Sequence, residues 1–116
     1  MGETQFTHKV RNWLKEHRGG SLKLGASMFL EKGTPDLICS YETSAFFLED
    51  KVYPNKATKI QLAQIARLKS MGFYAWVLTE RGDGFVLGDT EYKSLDAVFL
   101  FIKEYIDNAR RSRQAE

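Results

Sequence analysis

The sequence has little of several features that define familiar protein classes. Cys39 is its only cysteine, which excludes an internal disulfide framework, and with two histidines the chain lacks the ligands for a structural zinc site. No uninterrupted apolar run approaches the roughly 20 residues needed to span a bilayer, and no charged segment followed by an apolar stretch opens the chain. We therefore expect no secretion, no membrane insertion and an intracellular, cytoplasmic location.

A strong charge of either sign is also lacking. The 17 basic and 15 acidic residues leave a net charge of +2, which by itself does not indicate a polyanionic partner. Basic side chains do gather on the first predicted helix and at the end of the chain, where they are compatible with phosphate contacts and equally with a solvated surface. These residues are Lys9, Arg11, Lys15, Arg18, Arg110, Arg111 and Arg113.

What the sequence does contain is enough apolar surface for one core. Hydrophobic residues make up 43% of the 116 positions and aromatic residues 13%, while Gly and Pro number only 9 and 2, which argues against disorder. We expect a single domain over residues 1–116.

Hydrophobic periodicity predicts three helices and five strands. The order is α-β-β-β-α-β-β-α, which indicates a mixed α/β fold with a mixed central sheet and flanking helices. In the first strand the alternation directs Leu22 to the core and Lys23 and Ser27 to the opposite face. The predicted helices cover 3–17, 58–71 and 94–111, and the predicted strands cover 21–30, 35–41, 45–53, 73–79 and 85–87.

One strand pair carries residues suited to metal-dependent hydrolysis. On an extended strand, Glu49 and Lys51 project from one face while Asp50 projects from the other. A neighbouring strand that begins at Asp36 can bring a second carboxylate beside Glu49, an arrangement that a hard divalent cation makes favourable. The alternative is a surface hairpin whose charges pair with one another. We expect the first arrangement, because phosphodiester hydrolysis needs this combination of two carboxylates and a lysine.

These segments resemble the PD-(D/E)XK nuclease superfamily, and within it the stand-alone VRR-NUC family most. The resemblance rests on Gly33-Thr34-Pro35-Asp36-Leu37-Ile38, on Phe47-Leu48-Glu49-Asp50-Lys51 and on Gln61 in the helix that follows, and it runs over residues 3–79. A Pro-Asp pair or an E-x-K tripeptide occurs by chance in many proteins. Their order, hairpin spacing and following helix make the combination more specific.

The resemblance implies a Mg²⁺ site, with Mn²⁺ as a substitute. Asp36 and Glu49 would ligate the metal together with the backbone carbonyl of Asp50, and Lys51 would act in catalysis. Many relatives have Val between the acidic residue and the lysine, so Asp50 places an additional carboxylate behind the strand. This departure puts the affinity for metal in question more than the fold.

The resemblance also suggests supporting residues, each of which has a simpler role available. Glu3 matches an acidic position directed at the metal, but a glutamate in a first turn also favours the helix dipole. Gln61 matches a catalytic position beside the active site and is also suited to a capping box with Thr58. Lys23 and Ser27 would bind the substrate or form a solvated strand face.

We expect a metal-dependent DNA endonuclease, with branched or four-way junction DNA as its substrate and a homodimer as its working form. Leu100 and Phe101, outside the apolar stripe of the last helix, are candidates for the dimer contact. The alternative is a non-catalytic module on a nuclease fold that binds DNA or a partner. A sequence-specific restriction enzyme is disfavoured because no long loop is present to read base edges. So small a nuclease is compatible with a phage or mobile-element origin.

Overall fold

The computed structural model describes residues 1–24 and 31–115 of the chain. Within these ranges three helices and six strands follow one another in the order α1-β1-β2-β3-α2-β4-β5-β6-α3. The helices are α1 (Glu3–Glu16), α2 (Lys59–Ser70) and α3 (Leu95–Ala115). The strands are β1 (Gly19–Lys23), β2 (Leu37–Tyr41), β3 (Ser44–Val52), β4 (Ala75–Glu80), β5 (Phe85–Leu87) and β6 (Thr90–Tyr92).

The strands form one sheet in the order β1-β2-β3-β4-β5-β6. The pair β3–β4 is parallel and is connected through α2, whereas the other neighbouring strands are antiparallel. The sheet is therefore mixed, as predicted, with β3 and β4 at its centre. In the described part of the chain, none of the helices has the length and apolar character needed to cross a bilayer.

The main core lies on one face of the sheet, under α1 and α3. The ring of Phe46 on β3 lies 6.0 Å from that of Phe99 on α3, and Trp13 of α1 lies 4.7 Å from the same phenylalanine ring. The indole nitrogen of Trp13 donates a hydrogen bond of 2.7 Å to Asp96, which ties the two helices together. Ile65, the buried residue of α2, is not part of this core.

The first helix ends at Glu16, one residue before its predicted end, but the glycines that follow do not form its cap. The glycine pair after it predicts a helix stop, but in the structure Arg18 takes a positive φ of 65°, and Gly19 and Gly20 already belong to β1. A Cβ atom on Gly19 would lie 2.3 Å from the carbonyl oxygen of Ser40. The absence of a side chain at Gly19 therefore permits the close approach of β2.

The predicted first strand, 21–30, can be compared with the structure only as far as Leu24, because residues 25–30 lie outside the described ranges. The prediction that Leu22 is a core residue is wrong, since its side chain is 67% exposed. Instead, the register pairs Lys23 with the buried Leu37, which places Lys23 on the core side of the sheet. β1 lies at the sheet edge, where hydrophobic alternation is a poor guide to burial.

A short strand after β5 was not predicted. The segment 85–87 was expected at the sheet edge, but β6 pairs with it, with Leu87 opposite Thr90 and Phe85 opposite Tyr92. Gly88, with a positive φ of 61°, forms part of the turn between the two strands. Three residues, Thr-Glu-Tyr, are too few to show a hydrophobic period, which is why the sequence pattern misses this strand.

Candidate active site

The hairpin of β2 and β3 is closed by a two-residue turn. Its two residues, Glu42 and Thr43, both have positive φ values, 49° and 68°, as the tight turns of β-hairpins require. Such a turn fixes the register of the strands on either side of it. The pairing runs from the turn to its last pair, Leu37 opposite Leu48.

This register brings the two predicted metal-binding carboxylates together. Asp36 directly precedes Leu37, and Glu49 directly follows Leu48, so the two acidic residues stand opposite each other and on the same face of the hairpin. Their separation of 13 residues in the sequence is the one that a two-residue turn requires for this opposition. Asp36 is exposed, whereas the side chain of Glu49 is only 1% exposed.

The segment that leads into Asp36 is attached to α2. Glu31 forms an ion pair with Arg67 and accepts a hydrogen bond of 2.9 Å from the side-chain amide of Gln64. The hydrogen bond from Gln64 and the charge of Arg67 lower the pKa of Glu31. Gly33 has a φ of 86°, and a Cβ atom there would lie 2.5 Å from the Ile60 side chain, so glycine allows this segment to pass over the helix.

Lys51 lies on the same face of β3 as Glu49, as the alternation predicts. Its ammonium nitrogen is 3.9 Å from Oε2 of Glu49, and its side chain is 12% exposed. On the neighbouring parallel strand the two residues lie opposite Val77 and Thr79. The lysine charge is therefore held close to the carboxylate in a nearly enclosed position.

Glu49 has an electrostatic environment that opposes its ionisation. Burial and the negative charge of Asp36 together raise the pKa of Glu49 to about 7, against the opposing effect of the positive charge of Lys51. Smaller contributions from Asp50 and Glu3 also raise this pKa. Its Oε1 atom is buried and has no hydrogen-bond partner among the residues that the structure describes.

Asp50 points to the other face of the sheet and contacts α1. Its Oδ2 atom accepts a hydrogen bond of 3.1 Å from the hydroxyl of Thr7, and its side chain is 2% exposed. The pKa of Asp50 is raised to about 7, chiefly by burial and against the opposing effect of the Thr7 hydrogen bond, with smaller raising contributions from the charges of Asp36 and Glu3. Sequence reasoning did not single out Thr7.

Glu3 lies in the first turn of α1 and close enough to the hairpin to influence it. Its charge contributes to the raised pKa values of both Glu49 and Asp50, and its Oε2 atom accepts a hydrogen bond of 3.2 Å from Asn55. Glu3 and Thr7 are four residues apart, so they share one face of α1. That spacing is the signal in the sequence that could have identified Thr7.

Gln61 occupies the capping box at the start of α2. Its backbone N–H donates to the hydroxyl of Thr58 at 3.1 Å, and its side-chain oxygen accepts from the backbone N–H of Thr58 at 2.9 Å. This confirms the predicted helix start. Within the described residues, no hydrogen bond joins the Gln61 side chain to Asp36, Glu49 or Lys51.

Of the two predicted substrate-binding residues, the structure describes only Lys23. Lys23 is exposed at the end of β1, and the adjacent Leu24 donates its backbone N–H to the carbonyl oxygen of Asp36 at 2.7 Å. β1 therefore ends beside the hairpin. Ser27 lies outside the described residues.

The donor atoms at this site fit a hard divalent cation. Among residues 1–24 and 31–115, no three His, Cys, Asp or Glu side chains lie close enough together to hold a metal by themselves. Two opposed carboxylates and a backbone carbonyl are nevertheless oxygen ligands of the kind that Mg²⁺ takes while it keeps several waters. The buried, unpartnered Oε1 of Glu49 is an acceptor that such a cation would satisfy.

Comparison with known proteins shows similarity in structure rather than in sequence. No protein-family description matches the chain, and no curated protein matches it in sequence. The chain is similar to the 1.6 Å structure of Archaeoglobus fulgidus Hjc, a Holliday junction resolvase from an archaeal hyperthermophile. The TM-score is 0.56 with 12% sequence identity over 73% of each chain. The protein therefore has the fold of a junction-resolving nuclease, which confirms the predicted fold class.

Proposed function

We propose that this protein is a PD-(D/E)XK nuclease that hydrolyses DNA phosphodiester bonds with Mg²⁺, for which Mn²⁺ can substitute. The observation that carries the proposal is the opposition of Asp36 and Glu49 on one face of the hairpin, with the Lys51 ammonium group 3.9 Å from Glu49. Two opposed carboxylates can hold a divalent cation, and a lysine beside them can stabilise negative charge on a phosphate, so this arrangement is suited to phosphodiester hydrolysis. The resolvase fold supports the same assignment.

Each of these residues has a distinct role in the proposal. Asp36 and Glu49, with the backbone carbonyl of Asp50, provide the oxygen atoms that hold the cation. When bound, a divalent cation supplies positive charge to a phosphate oxygen and lowers the pKa of a water molecule. Lys51 orients the attacking water and stabilises the negative charge that develops on the phosphate.

The supporting residues are assigned by the same proposal. Glu3 adds negative charge to the site from the start of α1. Gln61 contributes its side-chain NH₂ group, which takes no part in the capping box. Lys23, at the end of β1, is proposed as a substrate contact on the α1 side of the sheet, and Ser27 is proposed as a second substrate contact on the resemblance alone.

Branched DNA is the proposed substrate class. The structurally similar protein is a Holliday junction resolvase, and the resemblance to stand-alone VRR-NUC proteins suggests the same type of substrate. A four-way junction has two strands to cut, so symmetrical resolution requires two active sites. We therefore propose a homodimer with one site in each copy.

The proposed dimer contact lies on the exposed side of α3. Leu100 and Phe101 are 52% and 36% exposed, and Tyr105 on the next turn is 50% exposed. The ring of Phe101 lies 5.8 Å from Tyr92 of the edge strand β6 and 5.9 Å from Tyr105. The three rings form a continuous surface, and together with the exposed Leu100 they are what a second copy would cover.

Cleavage of defined DNA substrates tests the activity. The purified protein with Mn²⁺ is expected to cut at least one of plasmid, flap and four-way junction DNA, and Lys51→Ala is expected to abolish the cut. Lys69→Ala is a matched control, because Lys69 is an exposed lysine in the last turn of α2. Equal cleavage by the wild type and Lys51→Ala would refute the mechanism.

The alternative function is a module that binds DNA or a partner without turnover. The observation that favours it is the burial of Glu49, which at 1% exposure has little access to a substrate phosphate in this conformation. Titration calorimetry with Mn²⁺ separates the two functions. The nuclease requires a metal site that Asp36→Ala removes, whereas a module would still bind DNA and show no such site.

A further inference from the structure

A polar groove runs between α1 and β1, apart from the three proposed catalytic residues. It has a volume of about 420 Å³. All of the side chains that line it are basic or neutral, so it presents positive charge without an acidic residue on its walls. Its lining residues are His8, Arg11, Asn12, Lys15, Gly20 and Ser21.

The groove is organised by one face of α1. Positions 8, 11, 12 and 15 are three or four residues apart and lie above one another on the helix. The Nε–H of Arg11 donates a hydrogen bond of 2.9 Å to the hydroxyl of Ser21 on β1, which fixes the guanidinium group across the groove. This bond uses Nε, and no hydrogen bond within residues 1–24 and 31–115 uses the two terminal nitrogens of Arg11, which can bind a phosphate bidentately.

The opposite wall of the groove is the strand β1. Gly20 contributes its backbone to this wall, since a Cβ atom built there would lie 4.0 Å from the Ser40 hydroxyl, on the side of the sheet away from Ser21. Lys23 lies two residues beyond Ser21 on the same face of β1 and continues the positive charge along the strand. Lys15 forms no ion pair with any residue in the described ranges, so its charge is not neutralised there.

The groove and the proposed active site are joined by β1. From Ser21 to Leu24 is three residues, or about 10 Å of extended chain, and Leu24 is hydrogen-bonded to the carbonyl oxygen of Asp36. Phosphates on one DNA strand are spaced by about 3.4 Å along the duplex axis. A DNA arm that follows β1 from a scissile phosphate at Asp36 would therefore pass beside the groove, which lies on the α1 side of this sheet edge.

We propose that this groove binds backbone phosphates of the DNA arm that leads away from the cut, with Arg11 and Lys15 as the phosphate-binding residues. The inference rests on the proposed function for its substrate, and it adds a binding site on the α1 side of the sheet, separate from Asp36 and Glu49. Binding through phosphates is independent of base sequence, which suits an enzyme that recognises DNA by its shape.

Metal-free binding of a fluorescent four-way junction, measured over a range of salt concentrations, tests the groove. Arg11→Gln together with Lys15→Gln is expected to weaken binding by about tenfold or more and to reduce the salt slope by about two, one for each lost phosphate contact. Lys9→Gln is the matched control. It removes one charge from the same helix, but Lys9 faces the ring of Phe85, 5.2 Å away, rather than the groove.

Two further variants separate charge from folding. Lys15→Gln alone is expected to reduce the salt slope by about one, with an unchanged thermal midpoint. Arg11→Lys keeps the charge and is expected to retain more affinity than Arg11→Gln. If the double variant keeps the wild-type affinity and salt slope, the groove does not bind phosphate, even if the protein cuts DNA. If the double variant binds more weakly but the wild-type protein never cuts DNA, the groove proposal stands and the nuclease proposal is refuted.

Discussion

Glu49 and Asp50 are adjacent carboxylates on opposite faces of β3. They are alike in their burial and differ in the groups that they contact. Glu49 and Asp50 are both almost fully buried, and burial raises the pKa of each to about 7. Glu49 lies with Asp36 and the Lys51 ammonium group, whereas Asp50 accepts a hydrogen bond from Thr7 of α1.

This difference shows that a raised pKa does not by itself identify a metal ligand. The neighbours of Glu49 are a second carboxylate and a lysine, which together can bind a cation and act on a phosphate. The hydrogen-bond partner of Asp50 is a helix hydroxyl, which holds the side chain in place. The following predictions test whether the two faces have these separate roles.

The largest expected difference in DNA cleavage is between two variants that each remove one negative charge, one from each face of β3. Glu49→Gln should reduce DNA cleavage by about 100-fold or more and weaken Mn²⁺ binding, because the carboxylate that faces Asp36 is lost. Asp50→Asn should retain cleavage, since its proposed ligand is the backbone carbonyl, which the substitution keeps. Cleavage rates and Mn²⁺ calorimetry of the two variants measure the contrast. Loss of metal binding in Asp50→Asn alone would reverse the assignment.

Removing the hydroxyl that holds Asp50 should affect stability. Thr7→Val is expected to lower the free energy of unfolding by about 1–3 kcal/mol, because it leaves a buried carboxylate oxygen without its hydrogen bond. Urea denaturation at neutral pH measures the change. Thr7→Ser, which keeps a hydroxyl, serves as the control and should lose less. No loss of stability in Thr7→Val would contradict this role of the hydroxyl.

The pH dependence of stability should reflect both carboxylates. Their folded pKa values of about 7 lie above the ordinary values of 4.5 and 3.8, so the folded protein retains these protons where the unfolded chain has released them. This contribution is fully present below about pH 4 and is lost as the pH rises through about 7. Urea midpoints in metal-free buffer should therefore fall between about pH 5 and about pH 8. Asp50→Asn should flatten this profile, and an unchanged profile would contradict its contribution.

The smallest effect is expected at the turn that sets the register. Thr43 is β-branched and has a φ of 68°, a conformation that asparagine adopts more readily. Thr43→Asn should raise the free energy of unfolding by about 0.5 kcal/mol and leave cleavage unchanged, because the turn length and both faces of β3 are preserved. Thermal denaturation and a cleavage assay measure the two quantities. A change in cleavage would show that the turn does more than set the register.

The residues of the candidate site were predictable because short-range rules place them. Alternation along β3 puts Glu49 and Lys51 on one face, and a tight hairpin turn puts Asp36 opposite Glu49. The capping box of α2 was predictable for the same reason, since it depends on residues three apart.

The features that the sequence did not predict depend on contacts between distant segments. The hydrogen bond between Thr7 and Asp50 joins residues 43 positions apart. Gly19 resembles a helix stop, but the approach of Ser40 from another strand determines its role. Leu22 is apolar but lies at the sheet edge, where its side chain stays exposed. The structural roles of these residues therefore depend on contacts that exist only in the assembled sheet.

The most direct test of the central claim is a crystal of the protein soaked in Mn²⁺ and measured for anomalous scattering. The proposed function predicts a peak between Asp36 and Glu49, about 2.2 Å from their oxygen atoms, with the Asp50 side chain still bonded to Thr7. No peak at a saturating Mn²⁺ concentration, or a peak on the Thr7 side of the sheet, would contradict it.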